Sequence, residues 1–143
     1  MQISQKCQYA VRAVFYLALK ESNNPIAISD IASQQDIPQR FLENIMASLK
    51  NMGIVKSLRG KSGGYVLAKD TKEITVGEII SFFEGNFAPV LCKKANKVED
   101  CPLIGNCPLP QLWGEAQQAL DNIYGKKTFF DLVADARKKS TKF

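Results

Sequence analysis

The 143-residue chain contains no histidine. That absence removes the commonest general base, every Ser–His or Cys–His nucleophile pair and every imidazole metal ligand, so hydrolytic enzyme classes lose most of their support. Long apolar runs are missing too. The longest, residues 13–19, spans seven residues, whereas a helix that crosses a bilayer needs roughly 20. A secretory signal fits poorly, because Arg12 falls inside the one candidate stretch and no small-residue cleavage site follows it. The expectation is a cytoplasmic protein with no membrane segment, whose four cysteines stay reduced unless they bind metal or sense oxidants. With 45% hydrophobic and 23% charged residues, nine Gly and six Pro, the composition is that of one compact globular domain.

The net charge is +5, and it is uneven: residues 1–73 hold ten Lys/Arg against six Asp/Glu (+4), residues 74–143 nine against eight (+1). The surplus is densest over residues 50–72, where Lys50, Lys56, Arg59, Lys61, Lys69 and Lys72 are opposed only by Asp70. Such a pattern suits a polyanion, and a solvated lysine-rich face is the alternative.

Residues 9–19 are apolar almost all round, which predicts a helix that is buried or shared with a partner chain. Ser22-Asn23-Asn24-Pro25 ends it with a turn. A short helix over 28–34 follows, then a turn at Gln35-Asp36-Ile37, and Pro38 suits the first turn of the next helix. There Phe41, Leu42, Ile45, Met46, Leu49 and Met52 make one apolar stripe, stopped by Gly53. Opposite lie Gln39, Arg40, Glu43, Asn44 and Ala47. Two helices joined by a tight turn, the second with a polar face of base-reading residue types, describe a helix-turn-helix. Two β-prone runs, 54–58 and 65–68, then flank Arg59-Gly60-Lys61-Ser62-Gly63-Gly64 and predict a hairpin with a basic, glycine-rich tip. A helix-turn-helix followed by such a hairpin is a winged helix, whose tip presses cationic side chains into a narrow minor groove. Gly60-Lys61-Ser62 also matches the end of a phosphate-binding P-loop, but that motif requires glycine where this chain has Val55.

Thr75 and Glu78 form a capping box, with Ile74 and Ile79 as a staple, for a helix over 76–84 ending at Gly85. Residues 86–110 lose periodicity, gain four prolines and hold three of the four cysteines, as expected of a functional loop. After it, Leu112, Ala116, Ala119, Leu120, Ile123 and Tyr124 form a stripe on a helix of about 14 residues with little chain left to pack against, so a two-fold dimer through this helix is expected. Thr128 caps a last short helix that ends in a basic tail, Arg137-Lys138-Lys139. The fold class is thus mainly α with a small β-hairpin wing. Its expected division is a winged domain over 1–85, a sensor loop over 86–110, and a dimerisation helix with tail over 111–143.

Cys92, Cys101 and Cys107 are separated by eight and five residues. Thiolates are soft anionic ligands, and three on one loop can converge on iron or zinc. Structural zinc, which prefers four ligands with tighter paired spacings, a thiol-redox switch and inert cysteines remain the alternatives at this level.

The chain resembles the Rrf-two (Rrf2) family of bacterial winged-helix regulators, which includes IscR-, NsrR-, RirA- and CymR-like proteins. The resemblance rests on Tyr9-Ala10-Val11-Arg12-Ala13, Ile31-Ala32, Ile37-Pro38-Gln39-Arg40-Phe41-Leu42 and Gly53-Ile54-Val55-Lys56-Ser57-Leu58-Arg59-Gly60. It continues through Gly63-Gly64-Tyr65-Val66-Leu67-Ala68, Ile74-Thr75-Val76-Gly77-Glu78-Ile79 and the three-cysteine loop before a long helix. It implies a homodimer on a palindromic double-stranded DNA operator, with Gln39, Arg40 and Glu43 facing bases and Arg59 and Lys61 meeting the minor groove or phosphates. It also implies that Cys92, Cys101 and Cys107 hold an iron–sulfur cluster, with a four-iron form favoured over a two-iron form. Two departures concern the fourth ligand: no histidine follows the third cysteine, and position 8 is Gln8 where another branch has a carboxylate. Cys7 beside it could supply a thiolate across a dimer, or be a small buried residue of the first helix.

The function expected is a transcriptional regulator, a repressor, that reports iron, nitric oxide or redox state, and not an enzyme. A cluster-free regulator controlled by thiol oxidation or a partner protein is the runner-up. A winged helix that binds protein rather than DNA is the alternative from another class.

Overall fold

Three helices begin where a hydroxyl, of Ser4, Thr75 or Thr128, accepts from a free backbone amide. This is a computed structural model, and it describes residues 2–21, 23–85, 101–103 and 105–140. The first helix, α1 (Gln5–Lys20), is capped by Ser4, whose hydroxyl accepts from the Cys7 amide, and it stops at Glu21 in the left-handed region, φ 44°. Ala10, Ala13 and Ala18 let neighbouring elements approach closely, while Val14, Tyr16 and Leu17 fill the space between them. Helix α2 (Ile28–Gln35) ends at Asp36, φ 49°. Pro38, with φ −56°, then serves as the N-cap of α3 (Gln39–Asn51), one position earlier than the first-turn place expected for it. Gly53 supplies φ 71° after α3, a backbone region that other residues enter only under strain.

The wing is the antiparallel pair β1 (Val55–Leu58) and β2 (Gly64–Leu67), in register from Val55 opposite Leu67 to Leu58 opposite Gly64. Ile26 adds a third, one-residue rung. Its amide donates to the Tyr65 carbonyl at 3.0 Å and its carbonyl accepts from the Tyr65 amide at 2.8 Å. Gly64 permits this, because a Cβ there would stand 2.3 Å from the Ile26 carbonyl oxygen.

Helix α4 (Val76–Glu84) matches its expected bounds, and the Thr75 hydroxyl accepts from the Glu78 amide at 3.1 Å. Helix α5 (Pro110–Lys126) is a turn longer than expected, and α6 (Phe129–Ser140) is the last helix of the described residues. Thr128 caps α6 through reciprocal bonds, its hydroxyl donating to the Asp131 carboxylate at 2.7 Å and accepting from the Asp131 amide at 3.1 Å. A short seam fastens the α5–α6 junction to α4: the Val76 amide donates to Lys127 and the Phe129 amide to Ile74. Gly77 and Gly125 meet there, where a Cβ on Gly77 would lie 2.9 Å from the Gly125 nitrogen.

The core centres on α1, which packs against α3, α4 and α6. Ile31, Leu42, Ile45, Met46, Leu49, Ile54, Ile74, Ile79 and Phe129 are fully buried around it. Each such side chain contributes about 1.5–3 kcal/mol relative to exposure. Two members of the expected α3 stripe fall outside this core. Phe41 is 51% exposed, because its helical position places it at the edge of the buried arc, and Met52 lies past the helix end and is half-buried. No helix among the described residues is long and apolar enough to cross a membrane.

Candidate nucleic-acid interface and cysteine site

Helix α3 buries Leu42, Ile45, Met46 and Leu49, and at 100° per residue this leaves Gln39, Arg40, Glu43, Asn44 and Ala47 on the outer arc. All five are exposed. Gln39 lies one turn from Glu43, with its amide nitrogen 3.5 Å from the carboxylate, so the two side chains are aligned along the helix. Glutamine, arginine and glutamate offer the donor and acceptor sets that suit adenine, guanine and cytosine edges in a major groove.

The wing joins α3 closely, through the Ile54 amide donating to the Leu49 carbonyl and the Lys50 ammonium donating to the Ser57 hydroxyl at 2.8 Å. At its tip Arg59 and Lys61 are exposed on a turn closed by the Gly63 amide donating to Gly60. Gly63 has no room for a side chain, since a Cβ would sit 2.6 Å from the Leu58 carbonyl oxygen. The basic stretch divides by what each cation touches. Lys69 pairs with Glu78 at 3.1 Å, and Lys72 lies over the Phe130 ring at 4.9 Å. Arg40, Lys56, Arg59 and Lys61 have no polar or ring partner among the described residues. Uncompensated cations at the recognition helix and wing make this the electropositive face, the arrangement a phosphate backbone binds.

Cys101 and Cys107 are half-buried free thiols on a short turn, closed by the Asn106 amide donating to Leu103, with Gly105 at φ 82°. Pro110, three residues beyond Cys107, opens α5. Cys92 lies outside the described residues. Cys7 is elsewhere in kind: it is fully buried on α1. Burial first, and then the Glu84 carboxylate, push its thiol up to about 12. The geometry is that of a small core residue, and a neutral thiol is a poor metal ligand. Among the described residues no three Cys, Asp or Glu side chains gather into a metal-holding group. Two accessible soft donors on one turn do fit thiolate ligation of iron in type, and Cys92 is the third expected donor.

Sequence reasoning did not find Glu84. It accepts from the Ser4 amide and hydroxyl and so ties the end of α4 to the start of α1. A carboxylate at a helix N-terminus is favourable, but 80 residues of separation leave no local signal.

An exposed polar recognition helix, a tight preceding turn and a cationic two-stranded wing define a winged helix-turn-helix DNA-binding protein. Comparison with known proteins narrows this. The chain belongs to the Rrf2 family: the profile described as "Rrf2: Iron-dependent Transcriptional regulator" matches residues 3–135. It is 33% identical over 136 residues to Protein rrf2 of Nitratidesulfovibrio vulgaris, covering 95% of this chain and 89% of that one. It is 32% identical over 133 residues to the HTH-type transcriptional regulator IscR of Klebsiella pneumoniae, covering 93% and 80%. Among solved structures, CymR, the global cysteine regulator of B. subtilis, superposes with a TM-score of 0.77 at 29% identity over 94% of this chain and 97% of that one. T. potens IscR gives 0.74 at 29% over 95% and 88%. The chain is a transcriptional regulator of a non-enzymatic family.

Proposed function

We infer that the protein is a homodimeric, cytoplasmic, sequence-specific repressor that binds a palindromic operator and responds to iron, nitric oxide or redox state through an iron–sulfur cluster. The observation that carries the DNA reading is the exposed cation set Arg40, Lys56, Arg59 and Lys61 beside the polar arc of α3, without partners among the described residues. Gln39, Arg40 and Glu43 face bases, and Arg59 and Lys61 meet the minor groove or phosphates. The dimer is supported by α5, which buries none of its residues fully within the protomer and leaves Leu112 and Ile123 52% and 62% exposed.

Cys92, Cys101 and Cys107 would hold the cluster, which when bound supplies one-electron redox chemistry and sensitivity to iron supply. Relatives called IscR and the family's iron-dependent description support this assignment. The chain's own contribution is connectivity. The Cys101–Cys107 turn runs within three residues into Pro110, the start of α5, while the far end of α5 is fixed to α4 by the Thr75–Thr128 bridge. A change in the turn therefore moves one end of the dimer helix against an anchored other end. Half-site spacing makes operator affinity sensitive to such movement.

A second reading is a cluster-free regulator using thiol chemistry. It is favoured by the likeness to a cysteine regulator and to S. aureus CymR in an oxidized form. One experiment separates the two: iron and acid-labile sulfide content with a visible spectrum, on protein purified without oxygen, followed by duplex affinity before and after chelation. Stoichiometric iron and sulfide with a changed affinity support the cluster sensor. No iron after reconstitution, with affinity altered by thiol oxidants, supports the second reading.

A further inference from the structure

One large apolar side chain of α3 stays outside the core. Phe41 is 51% exposed, directly after Arg40 and three residues before Asn44 on the outer arc. Its ring is held rather than loose: it stands edge-on to Tyr9, centroids 6.3 Å apart at 84°. Tyr9 is fixed in turn, its hydroxyl accepting from the Gln5 side-chain amide at 2.9 Å and its ring lying under the Arg12 guanidinium at 5.6 Å. The result is a rigid aromatic edge at the third residue of the recognition helix, in the N-terminal turns that approach base edges.

We propose that Phe41 contacts the C5-methyl group of a thymine in each operator half-site and is a specificity-determining residue for operator choice. A phenyl ring carries neither charge nor hydrogen-bond capacity, so phosphate oxygens and polar base edges give it nothing on burial. The thymine methyl is the one apolar group that the major groove presents. Buttressing by Tyr9 means that little side-chain freedom is lost when the contact forms, which favours binding by preorganisation. The surface is continuous with Arg40 and Asn44, so the same approach that brings those side chains to bases brings Phe41 with them. The inference rests on the reading that α3 enters the major groove.

The test uses duplexes enriched by the full-length protein from a random-sequence library. In the best of them each thymine is replaced singly by deoxyuridine, which deletes only the methyl group. Wild-type protein is expected to lose about fourfold affinity at one symmetric position per half-site, the factor that about one buried methyl is worth. Phe41→Ala is expected to lose that sensitivity at the same position while keeping the remaining sequence preferences, and its dichroism spectrum reports folding. The wild-type scan stands even if the variant folds poorly. Enrichment of a site at which no thymine responds to methyl deletion, or at which Phe41→Ala responds as wild type does, overturns this inference and leaves the DNA-binding reading intact. Failure to enrich any duplex overturns both.

Discussion

Replacing Arg59 and Lys61 together by alanine tests the wing as a phosphate-binding element. Both side chains are exposed and have no partner among the described residues, so their removal leaves the fold within about 0.5 kcal/mol of its original stability. The proposed homodimer would carry the pair twice. If all four cations neutralise phosphates, each contributes about 0.9 to the slope of log K against log salt, and the double variant's slope is shallower by about 3.6. Between 50 and 200 mM salt, wild type then loses about 150-fold more affinity than the variant does. Anisotropy titrations of an enriched duplex at four salt concentrations measure both slopes. A shallower slope by about 1.8 assigns one cation per wing to the backbone. An unchanged slope in a folded dimer refutes the reasoning, because it places the wing tips off the DNA.

Three further outcomes are expected. Gly64→Ala forces a Cβ to 2.3 Å from the Ile26 carbonyl oxygen, so the Ile26 rung breaks at a cost of about 1–3 kcal/mol, read as a lower urea midpoint. Iodoacetamide on native metal-free protein at pH 8 is expected to modify Cys101 and Cys107 while sparing Cys7 until denaturant is added, because Cys7 is buried and its thiol is pushed up to about 12; mass spectrometry of peptides decides it. The Thr128 hydroxyl, then its amide, hold the Asp131 carboxyl below the usual aspartate range. A depressed folded value stabilises the protein above the ordinary carboxylate range, and that contribution disappears as pH falls through the lower folded value. Thr128→Val therefore flattens the acid limb of the stability profile below about pH 4, measured as urea midpoints across that range.

Much of the winged domain was legible because its signals are local. Thr75, Glu78 and Gly85 fix α4 through bonds that span three residues or through one backbone angle, and α4 matches its expected bounds. Gly53 and the basic tip of the wing belong to the same class. What failed to show was long-range. The pairing of Ile26 with Tyr65, the Gly77–Gly125 approach and the hold of Glu84 on Ser4 join segments about 40, 50 and 80 residues apart, and no periodicity records them. Phe41 was misplaced for a subtler reason. Apolar spacing says which residues share an arc, but the width of the arc that neighbours cover is set by tertiary packing, here by a T-shaped contact with Tyr9 that leaves Phe41 half exposed.

The stripe on α5 shows the same ambiguity with a functional consequence. Leu112, Ala116, Ala119, Leu120, Ile123 and Tyr124 read as one face, yet the structure splits them. Ala116, Leu120 and Tyr124 are half-buried beside Trp113 and Gln117, on the side where α5 meets α4, whereas Leu112, Ala119 and Ile123 are exposed. The inner set lies on the side of the Gly77–Gly125 approach, where backbone meets backbone closely enough that a Cβ on Gly77 would stand 2.9 Å from the Gly125 nitrogen. The outer set, spaced by seven and four residues, is left exposed by the described residues, and it is the set the proposed dimer would use. A single sequence reports the total apolar arc of a helix, and only the packed structure separates the part owed to its own core from the part left exposed.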